Sequence, residues 1–239
     1  MVALTSPSIP RPKAVLFDLF HTLVCVPSPA SLGQPSVSEI LGVPSAEWLH
    51  HFYEADTHGR ALGRVVDAVE AMRLVAHSID PTIPEERIHR AVAMRQRCFE
   101  LGLVEVEPLI LDALDRLRAA GIRLGLVSDA AADDVECWDR SPLAARLDIA
   151  VFSYQVGVRK PDARIYRLAL DALGISPTDA LFVGDGGSNE HRGARDLGMR
   201  TVLVTRFASH WPSAVLDERR PYADFELPDV PGLIVALGL

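Results

Sequence analysis

Asp18, Ser128, Lys160 and Asp185 each stand at or shortly after the end of a short apolar run. Asp18 follows Ala14-Val15-Leu16-Phe17 and Ser128 follows Leu124-Gly125-Leu126-Val127. Lys160 comes a little after Ile149-Ala150-Val151-Phe152, and Asp185 comes after Ala180-Leu181-Phe182-Val183. Taken singly, an Asp in such a place is a turn residue or a helix cap. Four polar side chains at or beyond the carboxyl ends of four runs are a different matter. Two carboxylates, a hydroxyl and an ammonium at one edge can attack, hold and neutralise a small charged ligand.

The elements that must position them are legible from periodicity. Each continuous apolar run reads as a strand buried on both faces of a parallel sheet, and Thr201-Val202-Leu203-Val204 makes a fifth. Amphipathic stretches at 107–120, 160–173 and 190–197 end at Gly121, Gly174 and Gly198, the expected helix stops. Alternation of strands and helices implies an α/β fold, a doubly wound parallel sheet. Residues 27–104 break the rhythm, with long helices expected at 46–79 and 84–103 and no good strand. The expected organisation is a core of residues 1–26 and 105–239 and a helical cap of residues 27–104, set over the carboxyl edge where open α/β sheets bind ligands. Residues 1–12 read as a loose lead. Trp48, Phe52 and Tyr53 are expected in the cap's core.

Composition narrows the function. A net charge of -8 and a pI near 5.5 argue against a phosphate-backbone partner, so no nucleic acid is expected. Lys13 and Lys160 are the only lysines among 24 cationic side chains. Cys25, Cys98 and Cys137 show neither pairing nor metal-type spacing. With no secretory pattern and no apolar run of membrane-spanning length, a cytoplasmic protein without a membrane partner is expected, as monomer or homodimer.

Phe17-Asp18-Leu19-Phe20-His21-Thr22-Leu23 resembles the first motif of the haloacid dehalogenase superfamily. Val127-Ser128 is similar to the second, and Arg159-Lys160-Pro161-Asp162 to the third. Val183-Gly184-Asp185-Gly186, followed by Glu190 and Gly193-Ala194, resembles the fourth. The resemblance implies a hydrolase with Asp18 as carboxylate nucleophile, splitting one displacement into two easier ones. Ser128 and Lys160 would bind the oxygens of a small anionic substrate. A Mg2+ ion would sit on Asp18, Asp185 and the backbone carbonyl of Phe20, with Glu190 binding it through water or orienting Lys160. Asp56-Thr57-His58-Gly59-Arg60 and Arg64 interrupt the cap helices with polar groups, so Arg60 and Arg64 are candidates to meet the substrate.

One position departs from the phosphatase pattern. Phosphatases of the superfamily carry a second Asp two residues after the nucleophile, as acid and base, and here that residue is Phe20. Losing a positioned acid typically costs about 10²- to 10⁴-fold. His21 has an imidazole suited to acid/base work, but neighbouring side chains diverge. An aromatic residue there resembles the haloacid dehalogenases, from whose fourth motif Asp185 and Gly187 depart, and Asp129 would repel a substrate carboxylate. The cap has no lysine, which removes phosphonate cleavage through a Schiff base. The expected function is therefore Mg2+-dependent hydrolysis of a small phosphorylated metabolite. The alternatives are carbon–halogen hydrolysis and a catalytically weak ligand-binding protein.

Overall fold

Six parallel strands form the centre of the computed structural model, which describes residues 9–208 and 212–239. They are β1 (Ala14–Phe17), β2 (Arg123–Ser128), β3 (Ile149–Phe152), β4 (Ala180–Gly184), β5 (Arg200–Val204) and β6 (Phe225–Leu227), in the order β3-β2-β1-β4-β5-β6. The helices are α1 (Val37–Leu41), α2 (Ser45–Leu49), α3 (Ala68–Ile79), α4 (Glu85–Val104), α5 (Pro108–Ala119), α6 (Ser153–Val156), α7 (Ala163–Leu173), α8 (Glu190–Asp196), α9 (Ser213–Arg219) and α10 (Gly232–Ala236). The five expected strands are present. The sixth, β6, is three residues long with a charged residue at its centre, so it lacks the apolar run by which the others announce themselves.

Burial follows the two-residue period of a strand. Val15 and Phe17 of β1, with Leu181 and Val183 of β4, pack with Ile110, Leu114 and Leu117 of α5 and Leu233 of α10. Ala14, Leu16, Ala180 and Phe182 point the other way, onto Ile165, Tyr166, Ala169 and Leu170 of α7 and Ala194 of α8. Covered on both faces, β1 has no exposed residue. Its register pairs Phe17 with Leu126 on one side and with Val183 on the other, so the carboxyl ends of β1, β2 and β4 finish together.

Helices α1–α4 have a hydrophobic cluster of their own, including Leu41, Trp48, Phe52, Met72, Val75 and Ile88. Tyr53, expected inside it, is instead about half exposed. The single helix expected over 46–79 is broken. The π-turn His50–Glu54 continues α2, then Asp56, Gly59 and Gly63 take positive φ values of 42°, 68° and 71° around a 3-10 turn, Arg60–Leu62. The physical cause is local: the Asp56 carboxylate accepts the N–H groups of Arg60 (2.8 Å) and Ala61 (3.2 Å), and Asp67 caps a new helix through the N–H of Glu70 (2.7 Å). The helix expected to begin at 160 starts at Ala163, capped by Asp162, so Lys160 lies in the preceding loop. The lead of residues 1–12 falls partly outside the described residues; its end is docked, with Ile9 buried and its N–H donated to the carbonyl of Ala236 at 2.9 Å.

A buried charge cluster ties the helical layer to the sheet. Arg60 and Arg95 of α4 meet Asp133 and Asp134 of the 3-10 turn after β2, with Arg60 Nη2 2.8 Å from Asp133 and Arg95 Nε 3.3 Å from the same carboxylate. Asp134 takes both arginines through Oδ1 and the N–H of Ala131 through Oδ2. The guanidinium carbon of Arg60 lies 3.9 Å from the ring centre of Phe52, and that of Arg95 4.1 Å from that of Phe99. Removing one partner from such a cluster strands a buried charge. Asp134→Ala should therefore cost about 3–5 kcal/mol in urea unfolding; a loss below about 1 kcal/mol would show the cluster to be well hydrated instead.

Candidate functional site

The chain geometry brings Asp18, Ser128, Lys160, Asp185 and Glu190 to one edge of the sheet. Asp18 leaves β1 with its N–H on the carbonyl of Val183 in β4 (2.9 Å), so the first carboxylate is referenced to the strand that carries Asp185. Ser128 ends β2, Asp185 follows β4, and Glu190 opens α8. Lys160 arrives from the loop before α7, its N–H held by Asp129 at 2.9 Å. All five side chains are buried.

Lys160 is the centre of the arrangement. Its Nζ lies 2.6 Å from Asp18 Oδ1 and 2.6 Å from Glu190 Oε2. The second oxygen of each carboxylate is also engaged: Thr22 Oγ1 donates to Asp18 Oδ2 at 3.1 Å, and the N–H of Gly186 donates to Glu190 Oε1 at 2.8 Å. Glu190 thus bridges Lys160 Nζ and the N–H of Gly186. Burial and the neighbouring carboxylates push Asp18 and Glu190 above the usual carboxylate range, against the pull of Lys160. Burial works against charge on Lys160 too, but Asp18 and Glu190 outweigh it and hold the amine protonated.

Two further features stand out at this edge, the first of them outside the motifs. Arg219, at the end of α9, donates Nη1 to the backbone carbonyl of Asp185 at 2.8 Å and sits 3.1 Å from its carboxylate. Gly186, at φ 86°, makes room for this: a Cβ there would stand 2.9 Å from Arg219 Cβ. The sequence gives no sign of this contact, because α9 carries no motif of its own. The second feature is Ser128 Oγ, buried with no hydrogen-bond partner. Buried hydroxyls are ordinarily paired, so a missing acceptor, such as a substrate oxygen, suits this one.

Asp18, Asp185 and Glu190 each offer a carboxylate oxygen, all within 4.8 Å of one another, the single cluster of metal-ligating type among the described residues. Three carboxylates face two cations, Lys160 and Arg219. An all-oxygen donor set with a deficit of positive charge in a buried place fits a hard divalent cation. Arg60 is engaged by Asp133 and Asp134, and exposed Arg64 lies with its Cδ over Gly59. The structure does not bring either to the carboxylate group. His21 and Phe20 border a cavity of about 440 Å³ between the sheet edge and the helical layer.

Gly184 is the tightest approach at the site, since a Cβ there would lie 2.1 Å from Glu190 Oε1. Glu190 is pinned at both oxygens and has nowhere to go. Gly184→Ala should lower stability by about 1–3 kcal/mol through overpacking and reduce turnover as Lys160 loses its orienter. Unchanged thermal unfolding and turnover would show that Glu190 moves freely.

The model of the haloacid dehalogenase-like hydrolase family matches residues 12–198. A glyceraldehyde 3-phosphate phosphatase of Methanopyrus kandleri is 29% identical over 152 residues, 61% of this chain and 60% of that one. A phosphoserine phosphatase of Thermus thermophilus is 36% identical over 103 residues, 43% of this chain and 40% of that one. The match thus spans about half the length of these curated relatives. Protein CbbY of Cereibacter sphaeroides is 27% identical over 82% of this chain and 85% of its own. Among solved structures, a HAD phosphatase from Thermococcus onnurineus superposes with a TM-score of 0.61 at 24% identity, covering 95% of this chain and 98% of that one. A 2-haloacid dehalogenase from Pseudomonas syringae pv. Tomato gives 0.62 at 20%, covering 95% and 98%. Both likenesses concern the fold. Among the described residues no helix is long and apolar enough to cross a membrane.

Proposed function

Because the chain belongs to the haloacid dehalogenase-like hydrolases, we propose that it hydrolyses a small phosphorylated metabolite through an aspartyl-phosphate on Asp18, with a divalent cation, Mg2+ by its chemistry, at the carboxylate cluster. The observation that carries this reading is the buried group of Asp18, Asp185 and Glu190 around a single lysine. A phosphate dianion entering there brings two more negative charges. Only with a bound cation would the cluster accommodate that charge, so one ion would meet both the carboxylates and the substrate.

Asp18, Asp185 and the backbone carbonyl of Phe20 would hold the ion, with Glu190 reaching it through water. When bound, it would neutralise charge on the nucleophile and on the transferring phosphoryl group. The rest falls to the chain. An oxygen of Asp18 attacks phosphorus, and the bond from phosphorus to the leaving oxygen breaks with its electron pair leaving on that oxygen. Lys160 Nζ and Ser128 Oγ bind the phosphoryl oxygens, supplying charge and a hydrogen bond as the transition state develops. Thr22 keeps the Asp18 carboxylate in one rotamer. In the second half, water attacks phosphorus of the aspartyl-phosphate, loses its proton to solvent and releases inorganic phosphate with Asp18 restored. The helices of residues 27–104 act as the cap that excludes water from the first half.

The relatives named as phosphatases favour this reading. One observation favours carbon–halogen hydrolysis: Phe20, since halide departs without a proton. Asp129, one residue from Ser128, opposes it by repelling a carboxylated substrate.

Phosphate release should require Mg2+, stop in EDTA, and disappear in Asp18→Asn while the variant remains folded by circular dichroism. Halide released from 2-haloacids without metal would replace this reading. Phe20→Asp should raise kcat/KM on alkyl phosphates by about 10²- to 10⁴-fold by returning an acid and base. No gain there would show that the proton comes from elsewhere.

A further inference from the structure

Building on the phosphatase reading, we propose that the substrate is the monophosphate ester of an aromatic hydroxyl, a phenol or ring enol, whose ring occupies the cavity beside Phe20 and Phe99. Two independent observations meet here. The first is chemical. With Phe20 where an acid would stand, the leaving oxygen departs as an anion, which favours a group of low pKa. A phenol ionises near pH 10, whereas an aliphatic hydroxyl is about as weak an acid as water. The carboxylates within reach of the cavity do not replace the acid, because Asp129 accepts the N–H of Lys160 and Asp134 is held by Arg60 and Arg95.

The second observation is the shape and lining of the cavity. Its inner wall is Phe20, His21 and Asp129, residues two and three past Asp18 and one past Ser128; its outer wall includes Leu49, Tyr53 and Phe99 from the helical layer. Phe20 and Phe99 meet edge to face, with ring centres 5.3 Å apart and planes at 83°, presenting a fixed aromatic surface next to the nucleophile strand. At about 440 Å³ the space is well beyond the ~150 Å³ that holds one benzene and admits a substituted or fused ring. The wall is mostly apolar, Phe20, Leu49 and Phe99 among it, with His21, Ser28 and Asp129 among the polar exceptions, so it matches a ring better than a polyol. At the mouth, Leu49 and Tyr53 are about half exposed, apolar surface that a ring would cover. In the reaction the bond between phosphorus and the aryl oxygen breaks, the pair leaves on the phenolate, and solvent protonates it.

The test is steady-state phosphate release with Mg2+ from three groups of substrate. They are substituted phenyl and naphthyl phosphates, alkyl phosphates such as glycerol 3-phosphate, and acetyl phosphate, which has a good leaving group and no ring. Aryl phosphates should exceed alkyl phosphates by at least about 10²-fold in kcat/KM, falling steeply as the leaving-group pKa rises. Naphthyl should exceed phenyl at matched pKa. Leu49→Asp, a change at a half-exposed position, and Phe99→Leu should each lower the ratio of naphthyl to acetyl phosphate turnover about tenfold, mainly through KM. Asp18-dependent turnover of acetyl phosphate without an aryl advantage, or ratios unmoved by both variants, would overturn the aromatic substrate and leave the phosphatase reading intact. A shallow pKa dependence that steepens in His21→Gln would assign the proton to His21 and equally overturn it. No Asp18-dependent phosphate from any substrate would remove both readings.

Discussion

A protonated amine withdrawn from water needs anions around it, and the carboxyl edge of this sheet meets that need for Lys160. Asp18 and Glu190 lie at equal distance from its Nζ, and each is fixed at its other oxygen, by Thr22 and by the N–H of Gly186. Much of the local structure follows from this one contact. Gly184 has no side chain because Glu190 fills the place, and Tyr166 bonds the carbonyl of Glu190 at 2.8 Å. Asp129 grips the backbone of Lys160, and Asp185 is turned into the group with Arg219 behind it. A buried cluster of this kind contributes little net stability. In the proposed function its value lies in a carboxylate and an ammonium held at fixed positions before substrate arrives, which is what electrostatic stabilisation of a transition state requires.

The helical layer is fastened by a second buried cluster of a different character. Arg60 and Arg95 face Asp133 and Asp134 with matched charges, and their guanidinium groups lie on Phe52 and Phe99. The first cluster is short of positive charge and suits an added cation; the second is balanced and serves as a fastening. The turn that carries Asp133 and Asp134 comes directly after the strand that ends in Ser128, so the layer is anchored beside the edge where the carboxylates gather. Phe20 and Phe99 meet across the same junction, which makes the aromatic residue at position 20 part of the contact between layers as well as a wall of the cavity.

The parallel sheet and the cluster at its edge were legible in the sequence because both rest on local, repeating signals. A strand buried on two faces writes itself as a continuous apolar run, and a polar residue at its end falls at the carboxyl edge by topology alone. Five strands and the meeting of Asp18, Ser128, Lys160 and Asp185 could therefore be expected, while Glu190 joined them only through the resemblance to the fourth motif. Three-residue β6 could not, nor could the break near Asp56, where a side chain competes for backbone N–H groups that a helix pattern assigns elsewhere. Tertiary structure alone decided the pairings between residues far apart in the chain. Arg60 looks the same in sequence whether it meets a substrate or Asp133, 73 residues away, and Arg219 reaches Asp185 across 34 residues with no periodicity to mark it. Side-chain direction and partner choice depend on how packed elements face one another, and the linear pattern records which face is apolar without recording what lies opposite it.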